Sequence, residues 1–99
     1  MNKLAYRYAQ ALYELSTSEK CEDQLLKELK MIQTLYEENP GLNPLLAQSQ
    51  VSKDEKKKLL DELFGWAHPY ILNTLKLLVD KQRTQITVDC CKAYRDLYN

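Results

Sequence analysis

The sequence predicts an all-α protein, a compact six-helix bundle in a single domain, and three observations lead there. Apolar residues make up 44% of the 99 positions while Gly occurs twice and Pro three times, a balance suited to a packed helical core and not to a linker or disordered tail. Apolar residues recur at helical spacing along every segment, and only Ile86-Thr87-Val88 alternates with the period of a strand, over too short a stretch to outweigh its surroundings. The length suffices for one domain with its own core and falls short of two.

Helix-breaking punctuation divides the chain into segments near 3–16, 20–38, 42–48, 53–66, 69–81 and 84–98, each read as a helix. The second carries Leu25, Leu29 and Ile32 on one face and stops at Asn39-Pro40-Gly41, because proline disfavours helical geometry in the residue before it and glycine turns easily. The fourth begins at Ser52, where Ser52-Lys53-Asp54-Glu55 forms a capping box that satisfies two otherwise unpaired backbone donors. It contributes Leu60, Leu63 and Phe64 to the expected core, with Trp66 closing its end. Pro69 suits the first turn of the fifth helix, which places His68 at a capping or surface position. Leu75 and Leu78 from this helix and Leu97 from the last complete the expected core.

Two helices carry more apolar surface than a core requires. Around the first, Leu4, Ala5, Tyr6, Tyr8, Ala9, Ala11, Leu12, Tyr13 and Leu15 cover a continuous arc of roughly 220°, against the roughly 100° stripe of an ordinary surface helix. That helix is therefore either central in the bundle or shared between the core and a partner. On the fifth, Ile71, Leu72, Leu75, Leu78 and Val79 make the core stripe, while Tyr70, Thr74, Leu77 and Lys81 follow the i, i+4, i+7, i+11 spacing of a helix that lines a groove. Scattered surface apolar residues are an equal alternative reading of that second stripe.

Fourteen Lys and Arg residues balance fourteen Asp and Glu, leaving no overall field to draw nucleic acid or anionic lipid. The alternative function, a basic-patch nucleic-acid-binding domain, would use Lys53, Lys56, Lys57 and Lys58 with Lys76 and Arg83. Asp54, Glu55, Asp61 and Glu62 interleave with those lysines, which favours a solvated face with local ion pairs. One histidine, no glycine-rich phosphate loop and no nucleophile beside a base point away from an enzyme, a cofactor site or a metal site. Cys21 stands alone and Cys90-Cys91 are adjacent, a spacing of reduced thiols, one of the pair expected to pack and the other not. No apolar run reaches the roughly 20 residues of a membrane span. Met1 leads directly into the first helix without a signal-peptide block, so the expectation is a cytoplasmic protein with no direct membrane insertion.

Arg7-Tyr8-Ala9-Gln10-Ala11-Leu12-Tyr13-Glu14-Leu15 resembles the opening of bacterial ATP synthase delta subunits. Three further stretches follow in the family's order: Glu38-Asn39-Pro40 with Leu42 and Leu45-Leu46; Val51-Ser52 with Glu55 to Leu60 and Leu63-Phe64; and Leu72-Asn73 with Leu75 to Lys81 and Arg83. Ile86, Tyr94 and Leu97 extend the resemblance across the chain. It implies the N-terminal domain of a delta subunit, similar to the mitochondrial oligomycin-sensitivity-conferring protein: a non-catalytic stator component of the rotary, proton-translocating ATP synthase. Such a domain receives the amphipathic N-terminal helix of an alpha subunit in a groove between its first and fifth helices. Carried over, the groove is lined by Leu4, Tyr8, Ala11 and Leu15 and by Tyr70, Thr74, Leu77 and Lys81, with Ala5, Ala9 and Leu12 facing the core. Thr74 stands where the family often has a larger apolar residue, and Cys90 where an aliphatic is more usual. The resemblance further implies a C-terminal domain that contacts the b subunits of the peripheral stalk, for which this sequence has no counterpart, and a place on the cytoplasmic face of the membrane as a peripheral part of the complex.

Overall fold

The computed structural model describes residues 2–99. The order of elements is α1 (Lys3–Ser18), α2 (Glu22–Glu38), α3 (Leu42–Ala47), α4 (Lys53–Phe64), α5 (Pro69–Asp80), a single 3-10 turn (Thr84–Ile86) and α6 (Thr87–Tyr98). No strand occurs among the described residues, so the all-α, six-helix reading holds. None of the helices is long and apolar enough to cross a membrane.

Local chemistry sets most boundaries. Asn2 caps α1 by accepting from the Leu4 and Ala5 N–H groups at 3.0 and 3.1 Å, which satisfies two of the first-turn donors. That helix runs two residues past the expected Ser16, its ladder continuing to Glu19 N–H on the Leu15 carbonyl at 3.0 Å, while the Ser16 and Thr17 hydroxyls bond back to the Tyr13 and Glu14 carbonyls. Helix α2 begins at Glu22 instead of residue 20, since Lys20 takes a left-handed φ of 55° and Cys21 N–H bonds the Ser16 carbonyl at 2.8 Å. Gln82 repeats this geometry after α5, with φ 56° and Arg83 N–H on the Leu78 carbonyl at 2.8 Å. Both are Schellman-type stops made without glycine. Ser52 Oγ accepts from Glu55 N–H at 3.1 Å, the serine half of the expected capping box. His68 caps α5 by accepting the Tyr70 N–H on Nδ1 at 3.1 Å.

Packing follows from these ends. Helices α1 and α6 run parallel and form the most extensive pair, with Ala5 beside Ile86 and Cys90 at one end and Tyr13 edge-on to Tyr94 at the other, 5.6 Å between ring centroids. Antiparallel to α6, α2 completes the layer, and Tyr36 stacks on Phe64 of α4 at 5.8 Å. Inside, Ser16 Oγ lies 3.0 Å from the Tyr94 hydroxyl, which donates to the Glu22 carbonyl at 2.9 Å. Both side chains are fully buried, so this network answers the rule that buried polar groups find partners. Helices α4 and α5 form an antiparallel hairpin clamped by Lys57–Asp80 and Lys76–Asp61 ion pairs, each at 2.7 Å.

Four core expectations need correction. Leu63 is 39% exposed and Trp66 45% exposed, because α4 ends at Phe64 and the chain turns there before the indole reaches the interior. The Trp66 ring lies edge-on to Phe64 and donates from Nε1 to the Leu63 carbonyl at 2.8 Å. A Cβ on Gly65 would sit 2.5 Å from the Asp61 carbonyl oxygen, so only glycine fits at this turn. Leu97 is half-buried. Cys90 and Cys91 are both buried: Cys91 faces the main core and Cys90 faces α1, so α6 is covered on two sides. Burial pushes both thiols up to about 12.

Candidate functional site

The eight residues expected to line a groove lie on two helices that the fold sets side by side. Helices α1 and α5 are antiparallel: Glu19, just past α1, meets Tyr70 at the start of α5, and Tyr8 near the start of α1 meets Arg83 just past α5. Leu12, Ile71, Leu75 and Leu78 enclose a small internal void beneath them. Ala5, Ala9 and Leu12 face the core as expected.

Above that floor, Ala11, Leu15, Leu77 and Lys81 are exposed and Leu4, Tyr8, Tyr70 and Thr74 half-buried. Leu15 keeps 45% and Leu77 41% of its surface open, so neither is closed over by the chain's own side chains. Leu4 and Tyr8 pack their inner surfaces on the group formed by Ala5, Leu78, Ile86 and Cys90. The Thr74 hydroxyl donates to the Tyr70 carbonyl at 2.8 Å and so is satisfied within its own helix. The eight residues thus lie on the α1–α5 pair, exposed or half-buried.

Two polar ties join α1 to α5, and of their four residues only Glu19 was not singled out from the sequence. Tyr70 donates its hydroxyl to Glu19 Oε1 at 3.2 Å, and this bond raises the phenol's pKa by holding its proton. Arg83 donates to the Tyr8 hydroxyl at 3.0 Å. Glu19 sits beyond the expected end of the first helix, so no periodicity marks it; only the fold brings it to Tyr70. Beside the first tie, Cys21 Sγ lies 3.9 Å from His68 Nε2, and the His68 N–H donates to Glu28. The first contact joins the α1–α2 turn, and the second, from the His68 backbone, joins α2, to the start of α5.

The lysines considered for nucleic acid are largely engaged. Lys53 Nζ donates to the Asp80 carbonyl at 3.0 Å, and Lys57 and Lys76 pair with Asp80 and Asp61. The bond and charge of Lys57 depress the Asp80 pKa. Three of these lysines thus join α4 to α5 in place of forming a free basic patch.

What the structure itself shows is an all-helical bundle that leaves Leu15 and Leu77 exposed on two adjacent antiparallel helices. Residues 4–99 match the family described as ATP synthase delta (OSCP) subunit. Curated relatives named ATP synthase subunit delta in Bacillus thuringiensis (strain Al Hakam), Bacillus cereus (strain AH820) and Bacillus anthracis are 36% identical over 96 residues, 97% of this chain. The chain therefore belongs to the ATP synthase delta (OSCP) subunit family, whose members are non-catalytic subunits. It spans 53% of the length of those relatives.

Proposed function

We propose that this chain is the alpha-subunit-binding N-terminal domain of a delta subunit, and that it serves as a stator joint holding the catalytic head of a rotary ATP synthase to its peripheral stalk. The amphipathic N-terminal helix of one alpha subunit lies in the α1–α5 trough, against Leu4, Tyr8, Ala11 and Leu15 on one wall and Tyr70, Thr74, Leu77 and Lys81 on the other. A C-terminal domain, beyond the sequence given, meets the b subunits. The whole is peripheral, on the cytoplasmic face of the membrane. No chemistry is required of such a joint; it must stay bound while the rotor exerts torque.

The observation that carries this reading is the exposure of Leu15 and Leu77 along the antiparallel α1–α5 pair. Both leucines sit on helices whose inner faces are already packed into the core. A helix of about 20 residues laid there would bury on the order of 1,200–2,000 Å², the size of a specific complex. Lys81 at one end offers a cation to an acidic group of the incoming helix.

Isothermal titration against a synthetic alpha N-terminal peptide tests it. Ala11 is exposed, so Ala11→Asp leaves the fold intact while setting an unpaired carboxylate against the partner's apolar face. The expected loss is about 3 kcal/mol, roughly a hundredfold in Kd. Unchanged affinity in a folded Ala11→Asp variant would remove the trough from consideration.

A further inference from the structure

The chain's one histidine is tied into the start of α5, and its contacts fix where its proton sits. Pro69 holds the first helical position and has no N–H to offer. Tyr70 therefore supplies the first free donor of α5, and it donates to His68 Nδ1 at 3.1 Å. A ring nitrogen that accepts a hydrogen bond carries no proton, which leaves the proton of the neutral imidazole on Nε2. That nitrogen lies 3.9 Å from Cys21 Sγ and so gives the thiol a donor, not a base. The ring also packs on Tyr70, 4.7 Å between centroids.

A histidine cap differs in kind from the usual one. Ser, Thr and Asn keep their acceptor oxygen at every pH, whereas imidazole accepts only while neutral, and histidine is the side chain whose ordinary pKa, near 6.5, lies between pH 5 and 8. A proton on Nδ1 would face the Tyr70 N–H donor to donor, and the cap bond could not persist. It would also set a full cation on the positive end of the α5 dipole.

The charged ring has other partners close by. Burial and then the charges of Glu19, Glu22 and Glu28 raise the Cys21 thiol's pKa, which gathers those three carboxylates around the spot that His68 Nε2 reaches. Glu28 Oε1 already accepts the His68 backbone N–H at 2.6 Å, and its other oxygen accepts from Gln24. Lys20, the cation of this turn, is exposed and pairs with none of the three. Glu19 is also the acceptor of the Tyr70 hydroxyl, so an imidazolium that takes Glu19 takes it from Tyr70. The neutral ring thus belongs to α5, and the charged ring to the end of α1 and the start of α2.

We propose that His68 is a proton-sensitive cap: neutral, it fixes the first turn of α5; protonated, it releases that turn and with it Tyr70, at one end of the α1–α5 pair. His68 acts on the pair only through Tyr70, as a positioning residue. The effect on a docked helix rests on the function proposed above, whereas the cap itself does not.

Two readouts on the isotope-labelled chain test the cap without any partner. Imidazole nitrogen shifts at pH 8 are expected to show a proton on Nε2 and none on Nδ1. Amide exchange of Tyr70, relative to an unstructured peptide at the same pH, is expected to speed about fivefold between pH 8 and pH 5.5, the size of a lost helix cap. His68→Asn keeps a capping acceptor that does not titrate, so its Tyr70 amide should respond equally at both pH values. In titration calorimetry the alpha N-terminal peptide should bind up to about fivefold more weakly at pH 5.5 than at pH 8, and His68→Asn should remove that difference. A proton on Nδ1 at pH 8, a Tyr70 amide indifferent to pH, or the same acid response in His68→Asn would overturn the proposal. So would equal peptide affinity at the two pH values in the native chain. A peptide that binds at neither pH would sink the trough reading alone, with the cap still decided by the amide.

Discussion

The α1–α5 trough and the α2–α3–α4 cleft are both apolar and both open, but they are built differently. The trough is a seam between two long helices whose inner faces are closed and whose ends are tied by Tyr70–Glu19 and Arg83–Tyr8. The cleft, lined by Leu35, Leu42, Leu45, Leu59, Leu63 and Phe64, is a gap left where a short helix and a proline turn fail to cover the ends of α2 and α4, and no polar tie crosses its mouth among the described residues. Two ways of leaving apolar surface exposed therefore occur in one small bundle: redundancy of apolar faces on well-packed helices, and incomplete coverage at helix ends. The first leaves leucines exposed along the outer sides of two packed helices; the second leaves an opening of about 540 Å³ between helix ends.

Both surfaces rest on the same core, and the largest perturbation should abolish that distinction. Leu25 is fully buried, and Leu25→Ala is expected to cost about 2–5 kcal/mol in urea unfolding through lost burial and the cavity left behind. Amide protection around the trough and around the cleft should then fall together. Loss around only one would mean that the two halves of the bundle unfold separately.

Alkali should act next, and more on the trough than on the cleft. The Cys90 and Cys91 thiols are held near 12 by burial, above the ordinary thiol value of 9.0. Because the folded-state pKa is raised, their contribution is complete below pH ~9. It declines as pH rises towards about 12, where the unfolded chain has released protons that the folded chain retains. The slope is at most ~1.4 kcal/mol per pH unit for each thiol. Melting temperatures measured between pH 8 and pH 11 should fall, and Cys90→Ala should flatten the fall; an unchanged slope would mean that the thiol beside Ala5 and Leu78 is not the titrating group.

Two smaller effects sharpen the contrast at the trough. Tyr94→Phe removes the hydroxyl that serves Glu22 and Ser16 and should cost about 1–3 kcal/mol, read by chemical unfolding, with little change in alpha-peptide affinity. Asn2→Ala removes the cap that bonds Leu4 and Ala5. It should cost about 1 kcal/mol and raise hydrogen exchange at the start of α1, loosening the wall that carries Leu4. The smallest effect is expected from Tyr70→Phe, which cuts the exposed tie to Glu19. It should leave the melting temperature unmoved and change only the dissociation rate of a helix bound in the trough.

Much of this was legible in the sequence, and the reason differs by residue. The Ser52 cap, the stop at Asn39-Pro40-Gly41 and the start of α5 at Pro69 depend on contacts within a few positions, so they survive translation into three dimensions almost unchanged. The stops at Lys20 and Gln82 were less visible because neither is glycine, and the left-handed turn is held by a backbone bond that composition does not advertise. The exposed stripe of α5 could be read from spacing alone, yet spacing gave Leu63 and Trp66 the same claim to the core as Leu60 and Phe64.

By itself, then, the sequence determined the helices, their order, their principal ends and which residues share a face, since each of these rests on bonds and side-chain neighbours three or four positions apart. Only tertiary structure decided which faces are covered: Cys90 inside against α1, Leu63 and Trp66 outside, Arg83 drawn to Tyr8, and an apolar cleft left open between α2, α3 and α4. Whether a stripe is covered depends on another element arriving from far along the chain, and periodicity carries no information about that distance.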